Sequence, residues 1–144
     1  MLLLSHDIVS AIFDQARQAH PIECCGIIAA AAGSERATRL IPMLNRARSE
    51  VYFEFDPRQQ LQVWREMDAR DEEPRVFYHS HTASRAFPSA TDIAFATDAN
   101  AHYLIVSTAD YDPPLRSFRI VQGCVSEEEV RIDARPAAAL NLPD

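Results

Sequence analysis

A single α/β domain, with a mixed central β-sheet flanked by helices, is the fold that the sequence predicts. Three observations carry it. A chain of 144 residues is the size of one domain and can bury a sizeable core. Segments with helical and with strand patterns follow one another along it. No internal repeat, low-complexity tract or interdomain linker divides it. The domain is placed at residues 1–133, and residues 134–144, with two prolines and little periodicity, are expected to form an extended tail.

Met1-Leu2-Leu3-Leu4 reads as a short opening strand or as the lead into a helix. From Ser5 to Ala19 the pattern is helical. Ser5 suits the N-cap, Asp7 the first turn, and Ile8, Val9, Ile12, Phe13 and Ala16 form one apolar stripe. His20-Pro21 ends the helix, because proline disfavours helical geometry in the residue before it. Cys24 to Ala30 is an apolar run of strand length, Ala32-Gly33-Ser34-Glu35 turns the chain, and Arg36 to Met43 returns as a hairpin partner.

After a polar loop from Asn45 to Glu50, a short strand is expected at Val51 to Phe55. Asp56-Pro57 starts a helix, an N-cap followed by proline at the first helical position, with Leu61, Trp64 and Met67 along one face. Arg75 to His81 is a strand, and Pro88-Ser89 opens a helix that carries Ile93, Ala94 and Thr97. His102 to Ser107 is a further apolar strand. Turns at Asp110 to Pro114 and at Gly123 separate two last strands, Leu115 to Val121 and Val125 to Ile132.

The charge balance narrows the partners. A formal charge of -7 argues against nucleic-acid binding, which needs clustered Lys and Arg. No apolar run approaches a membrane span, and the opening leucines lack the basic flank and cleavage site of a signal peptide. Three cysteines, two of them adjacent, make no disulfide framework, so a reducing cytoplasm is the expected compartment.

The chemistry is concentrated in His79-Ser80-His81, followed after seven residues by Ser89-Ala90-Thr91-Asp92. Strand side chains alternate faces, so His79 and His81 share one face with Phe77, and Val76, Tyr78 and Ser80 take the other. Two imidazoles on one face can reach a single zinc ion. The loop from Thr82 to Pro88 can fold back over the strand end, and Asp92 then lies in the first turn of a helix, where the dipole keeps a carboxylate ionised. Three protein ligands with one open position are the mark of a catalytic zinc site rather than a structural one. Taken alone, Ser89-x-x-Asp92 reads first as a capping box with Asp in place of Glu. Glu23, beside the first buried strand, offers a base that is not a ligand; the alternative is a solvated charge at a strand end.

Together these residues resemble a known family. Glu23, His79-x-His81, Ser89 and Asp92 look like the complete signature of the JAMM (MPN-plus) metalloproteases. His20-Pro21-Ile22-Glu23-Cys24-Cys25-Gly26 is similar to the opening of small bacterial members, as are Asn45, Phe53, Asp56-Pro57 and the strand from Ala101 to Ser107. The resemblance spans roughly residues 1–132 and implies a cytidine-deaminase-like MPN fold. It assigns His79, His81 and Asp92 as Zn2+ ligands, Glu23 as general acid/base, and Ser89 as hydrogen-bond donor to the developing oxyanion.

Tyr78-His79-Ser80-His81-Thr82 and Phe87-Pro88-Ser89-Ala90-Thr91-Asp92 are similar to the actinobacterial Mec-type peptidases of that family. These release cysteine from the C-terminus of a ubiquitin-like sulfur-carrier protein, the last step of a route to cysteine. The resemblance therefore implies such a carrier as substrate, with its extended tail laid beside a sheet edge. The rival readings are a peptidase that trims other residues or conjugates from a ubiquitin-like protein, and a non-catalytic MPN scaffold or binding module. A zinc deaminase is disfavoured, because the His-x-Glu and Pro-Cys-x-x-Cys elements are missing.

Other residues invite roles that the pattern does not support. Cys24 and Cys25 point to opposite strand faces without an oriented histidine, and free cysteine is usually a small buried hydrophobe. Cys124 is expected to be structural or incidental. His6 and His20 are read as helix-end residues, His102 as a strand start, and Trp64, Tyr103 and Phe118 as core or surface aromatics.

Overall fold

The strand that carries both histidines is an interior strand of the main sheet, and the rest of the fold fixes its position. The structure, a computed structural model, describes residues 1–134. It comprises β1 (Leu2–Ser5), α1 (His6–Ala19), β2 (Cys25–Ala31), β3 (Ala37–Met43), α2 (Pro57–Ala69) and β4 (Glu72–His81), then α3 (Ala90–Phe95), β5 (His102–Ser107), β6 (Leu115–Val121), β7 (Cys124–Glu128) and β8 (Val130–Asp133). Six strands form one sheet in the order β3-β2-β4-β5-β6-β7, and β1 pairs with β8 in a second, two-stranded sheet. The expected tail, apart from Ala134, lies outside the described residues.

β4 runs antiparallel to β2 and parallel to β5, which makes the sheet mixed. Parallel neighbours cannot be joined by a tight turn, so the chain must cross over between them. That crossover holds the 82–88 loop and α3, and it returns Asp92 to the C-terminal end of β4.

The two faces of β4 are covered differently. Val76 and Tyr78 pack with Ile28, Leu104 and Val106 under the apolar stripe of α1, in which Ile8 and Ile12 are fully buried. Each such side chain contributes about 1.5–3 kcal/mol relative to exposure. On the other face Phe77 joins Cys25, Ile27, Ala29 and Met43 beneath Val63 and Met67 of α2.

Gly26 faces Tyr78 across the β2–β4 ladder, and the phenol ring fills the space that a Cβ would occupy. Tyr78 Oη donates to Gln15 Oε1 at 2.5 Å, and Gln15 Nε2 donates to the Cys25 carbonyl at 3.1 Å. The absent side chain thus lets one tyrosine tie β4 to α1.

Four expectations about elements need correction. Val51 to Phe55 is not a strand; its one ladder contact is the Asn45–Phe55 bridge. Asn45 Nδ2 donates to the Tyr52 carbonyl and Asn45 Oδ1 accepts the Glu54 N–H, so a side chain takes backbone groups that a ladder would use. Leu61 does not lie on the buried face of α2: Val63 and Met67 do, one helical turn apart, and Leu61 is 52% exposed. α3 ends at Phe95, so Thr97 falls beyond it. Val125 to Ile132 is two strands, because β7 pairs with β6 whereas β8 turns away to pair with β1.

Candidate metal centre

His79 and His81, at the C-terminal end of β4, point their Nε2 atoms at each other across 3.1 Å. Asp92 Oδ2 lies 3.1 Å from each of them. His81 Nδ1 donates to the Arg85 carbonyl at 2.9 Å, which places its proton there and leaves Nε2 as a lone pair. The Phe53 ring stacks on His79 with centroids 4.5 Å apart. Both imidazoles are buried, at 6% and 5% exposure.

Lone pairs and a carboxylate oxygen converging in a buried place repel one another unless a cation or a proton sits between them. The donor set fits zinc. Separations of 3.1 Å are close to the ~3.3 Å edge of a tetrahedron whose centre is ~2.0 Å from each ligand atom. These three residues are the group that could hold a metal ion among the described residues. Burial pushes the His79 imidazole below its usual range. Burial acts downward on His81 too, but its bonds to Asp92 and the Arg85 carbonyl outweigh it and raise the pKa. Burial would raise Asp92, yet the bonds from both histidines hold its carboxyl well below the usual range.

The loop that orients His81 is itself held. Ser84 Oγ lies 3.1 Å from His81 Nδ1, and the Ser84 carbonyl accepts from Ser107 Oγ of β5 at 2.7 Å. Ser89 caps α3: its Oγ accepts the Asp92 N–H at 3.0 Å, and Asp92 Oδ2 accepts the Ser89 N–H at 2.9 Å. The capping box and the ligand geometry therefore coexist in one residue.

Glu23 precedes β2 and is 5% exposed. Its N–H donates to the Ser49 carbonyl at 3.0 Å and its carbonyl accepts from Asn45 Nδ2 at 3.0 Å. No hydrogen bond or ion pair ties its carboxylate among the described residues. Burial pushes its pKa up to about 7; His81 pulls it down and Asp92 pushes it further up. It is a buried carboxyl with its oxygens free, beside His81 and Asp92.

A groove of about 470 Å³ ends on His79 and Asp92. Its walls include Tyr52, Phe53, Phe55, Trp64, Phe77 and Tyr103. Trp64 and Tyr103, expected as core or surface aromatics, therefore face a cavity. The one signal for this in the sequence is Tyr52-Phe53-x-Phe55, aromatic residues crowded into a segment that forms no strand.

The remaining candidates have structural partners. Ser80 is fully buried on the far face and accepts the Cys24 N–H at 2.8 Å. Cys24 and Cys25 are buried, and burial pushes both thiols up, that of Cys25 to about 12, which suppresses thiolate nucleophiles. His102 binds Glu128 at 2.6 Å, His20 binds Thr108 at 2.8 Å, and His6 is exposed at the start of α1. Cys124 is exposed at the start of β7, directly after the β6–β7 turn in which Gln122 and Gly123 both have positive φ. Phe118 is fully buried. No described helix is long and apolar enough to cross a membrane.

Comparison with known proteins agrees with this architecture. Residues 5–121 match the family described as prokaryotic homologs of the JAB domain. The chain is 48% identical over 133 residues to the CysO-cysteine peptidase of Mycobacterium tuberculosis, covering 92% of this chain and 91% of that one. It is 32% identical over 111 residues to the desampylase of Haloferax volcanii, covering 74% and 80%. A protein of Desulfitobacterium hafniense, known from its solution structure, superposes with a TM-score of 0.81 at 32% identity, covering 94% of this chain and 95% of that one.

Proposed function

The chain belongs to the family of prokaryotic homologs of the JAB domain, and from that premise we propose that it is a zinc-dependent peptidase that hydrolyses the C-terminal peptide bond of a ubiquitin-like sulfur-carrier protein and releases cysteine. The observation that carries the chemistry is the convergence of His79 Nε2, His81 Nε2 and Asp92 Oδ2 beside the unengaged carboxylate of Glu23. The choice of carrier is supported by 48% identity, over most of both chains, to a protein named CysO-cysteine peptidase.

In this reading His79, His81 and Asp92 hold zinc, which when bound supplies Lewis acidity to the attacking water and the scissile carbonyl. Glu23 takes the water's proton and returns it to the leaving amine; burial, which pushes its pKa up to about 7 before the cation lowers it, keeps the carboxyl a competent base and acid. Ser89 Oγ accepts the Asp92 N–H, so its own O–H remains to donate to the carbonyl oxygen as that atom gains charge. The groove receives the carrier's extended tail and its aromatic walls exclude water. A reducing cytoplasm is the compartment that suits three free cysteines.

Incubation of the zinc-loaded enzyme with a carrier–cysteine adduct tests this by intact mass. Loss of one cysteine residue from the carrier supports it, and an unchanged adduct refutes it. The similarity to a desampylase favours one other reading, removal of conjugates from a ubiquitin-like protein. Cleavage of a carrier–protein conjugate in preference to the cysteine adduct would establish that alternative.

A further inference from the structure

We infer that Arg85 binds the α-carboxylate of the residue released from the carrier's C-terminus. The inference rests on the peptidase reading and deepens it: it says which side of the site the leaving residue takes and which side chain reads its free end.

The two sides of the ligand cluster differ in charge. The groove touches His79 and Asp92, whereas neither His81 nor Glu23 lines it. Its charged lining residues are Glu54, Asp92 and Asp98, with no arginine among them. The neutral backbone of an extended tail is accepted there, and a free carboxylate is repelled. The leaving amine must meet Glu23, which interacts electrostatically with both His81 and Asp92 and, like His81, lies off the groove. The carrier tail therefore lies on the His79 side, and the leaving residue departs on the His81 side.

Arg85 is fixed at that second side. Its carbonyl accepts from His81 Nδ1 at 2.9 Å, which ties its backbone to the ligand. Its exposed guanidinium lies over the Phe87 ring, 4.8 Å from the centroid, and is in no ion pair among the described residues. Arg116 sits over the same ring at 5.7 Å, but its fork is engaged by both carboxylate oxygens of Glu127, at 2.7 and 2.9 Å.

The aromatic platform is itself anchored, because Phe87 meets Phe118 edge to face at 5.3 Å. Phe118 pairs with Tyr103, and Tyr103 with Phe77, which places the platform on the sheet face that carries both histidines. A guanidinium supported on a ring keeps its N–H edge free for two parallel bonds to a carboxylate. The product of a peptidase that removes one C-terminal residue has that carboxylate, and an internal peptide bond does not offer it.

Two substrates separate this role from a structural one: the carrier–cysteine adduct with a free C-terminal carboxylate, and the same adduct as its C-terminal amide. With zinc-loaded wild-type enzyme we expect kcat/KM to favour the acid by about 10-fold or more. Arg85→Met collapses that ratio toward one, whereas Arg48→Met, at an exposed arginine in the loop that binds the Glu23 N–H, preserves it. Damage to the fold or to His81 would lower both substrates together and leave the ratio intact.

Binding gives an independent readout. In the Glu23→Gln background, calorimetry should show the Kd for the acid weakened by Arg85→Met, and the acid–amide difference lost. A wild-type ratio near one, or a ratio that survives Arg85→Met, overturns the inference. Wild-type enzyme that turns over neither substrate overturns the peptidase reading instead, and the binding comparison still decides the role of Arg85. No difference in binding between acid and amide then overturns that as well.

Discussion

Ser89 and Asp92 close a capping box in which the same oxygen, Asp92 Oδ2, accepts the Ser89 N–H at 2.9 Å and meets both imidazoles at 3.1 Å. A helix of six residues is too short to hold a side chain stiffly by itself. The cap supplies that stiffness, so the feature that stabilises α3 also aims Asp92 Oδ2 at the two imidazoles.

Ser89→Ala should therefore do two separable things. Loss of the cap costs about 0.5–2 kcal/mol of stability, read from denaturant unfolding. Loss of the O–H donor lowers kcat about 10²–10³-fold. A fall in kcat no larger than the fall in bound zinc would remove Ser89 from the chemistry.

Glu23→Gln should retain zinc and lose turnover by about 10²–10⁴-fold. Glu23 must be ionised to accept a proton, so kcat/KM of the wild type rises with pH on an acid limb. A bound cation draws the carboxyl below its metal-free value of about 7, which puts that limb at or below neutrality. Full activity in the variant, or a limb that the variant keeps, contradicts the assignment.

The same carboxyl gives a stability signature in the metal-free protein. Its folded pKa is raised from 4.5 to about 7, so the folded state holds the proton more tightly. That contribution is fully present below pH 4.5 and lost as pH rises through about 7. The melting temperature of the wild type relative to Glu23→Gln should fall between pH 5 and pH 8 (about the range the shift spans). A constant difference would mean that burial does not perturb Glu23.

Metal affinity should weaken as pH falls. A proton on His81 competes for the same Nε2 lone pair, and Asp92 together with the Arg85 carbonyl raises the pH at which that proton arrives. Chelator competition at a series of pH values measures this. Removing the metal should also lower the melting temperature, since zinc binds the folded site alone. Affinity independent of pH would exclude the two imidazoles as ligands.

The three residues that the structure brings together, His79, His81 and Asp92, and the helix that presents Asp92 were legible in the sequence, because each rests on local spacing: alternation along β4, and a cap three residues before a carboxylate. Features that depend on distant partners were misjudged. Val51 to Phe55 has strand-like composition, but the Asn45 side chain claims its backbone groups. Leu61 has helical spacing with Trp64, yet the sheet meets α2 at Val63 and Met67. The break between β7 and β8 is set by β1, over a hundred residues earlier in the chain. The groove was equally hidden, because its walls come from α2, α3, β4, β5, β6 and the 52–55 segment.

Gly26→Ala tests the core beneath the site. A methyl group there must displace the Tyr78 ring, whose hydroxyl is held by Gln15, so overpacking should cost about 1–3 kcal/mol. Zinc binding should weaken as well, because Tyr78 precedes His79 in β4. Unchanged stability would mean that the ring yields freely.

In the proposed mechanism a single ion held by His79, His81 and Asp92 makes this domain a peptidase. Titrating metal-free protein with zinc while following cleavage of the carrier–cysteine adduct tests it most directly. Turnover should be absent at the start, rise linearly to one equivalent and stay absent in Asp92→Asn. Turnover by the metal-free protein, or a full response from Asp92→Asn, would contradict it.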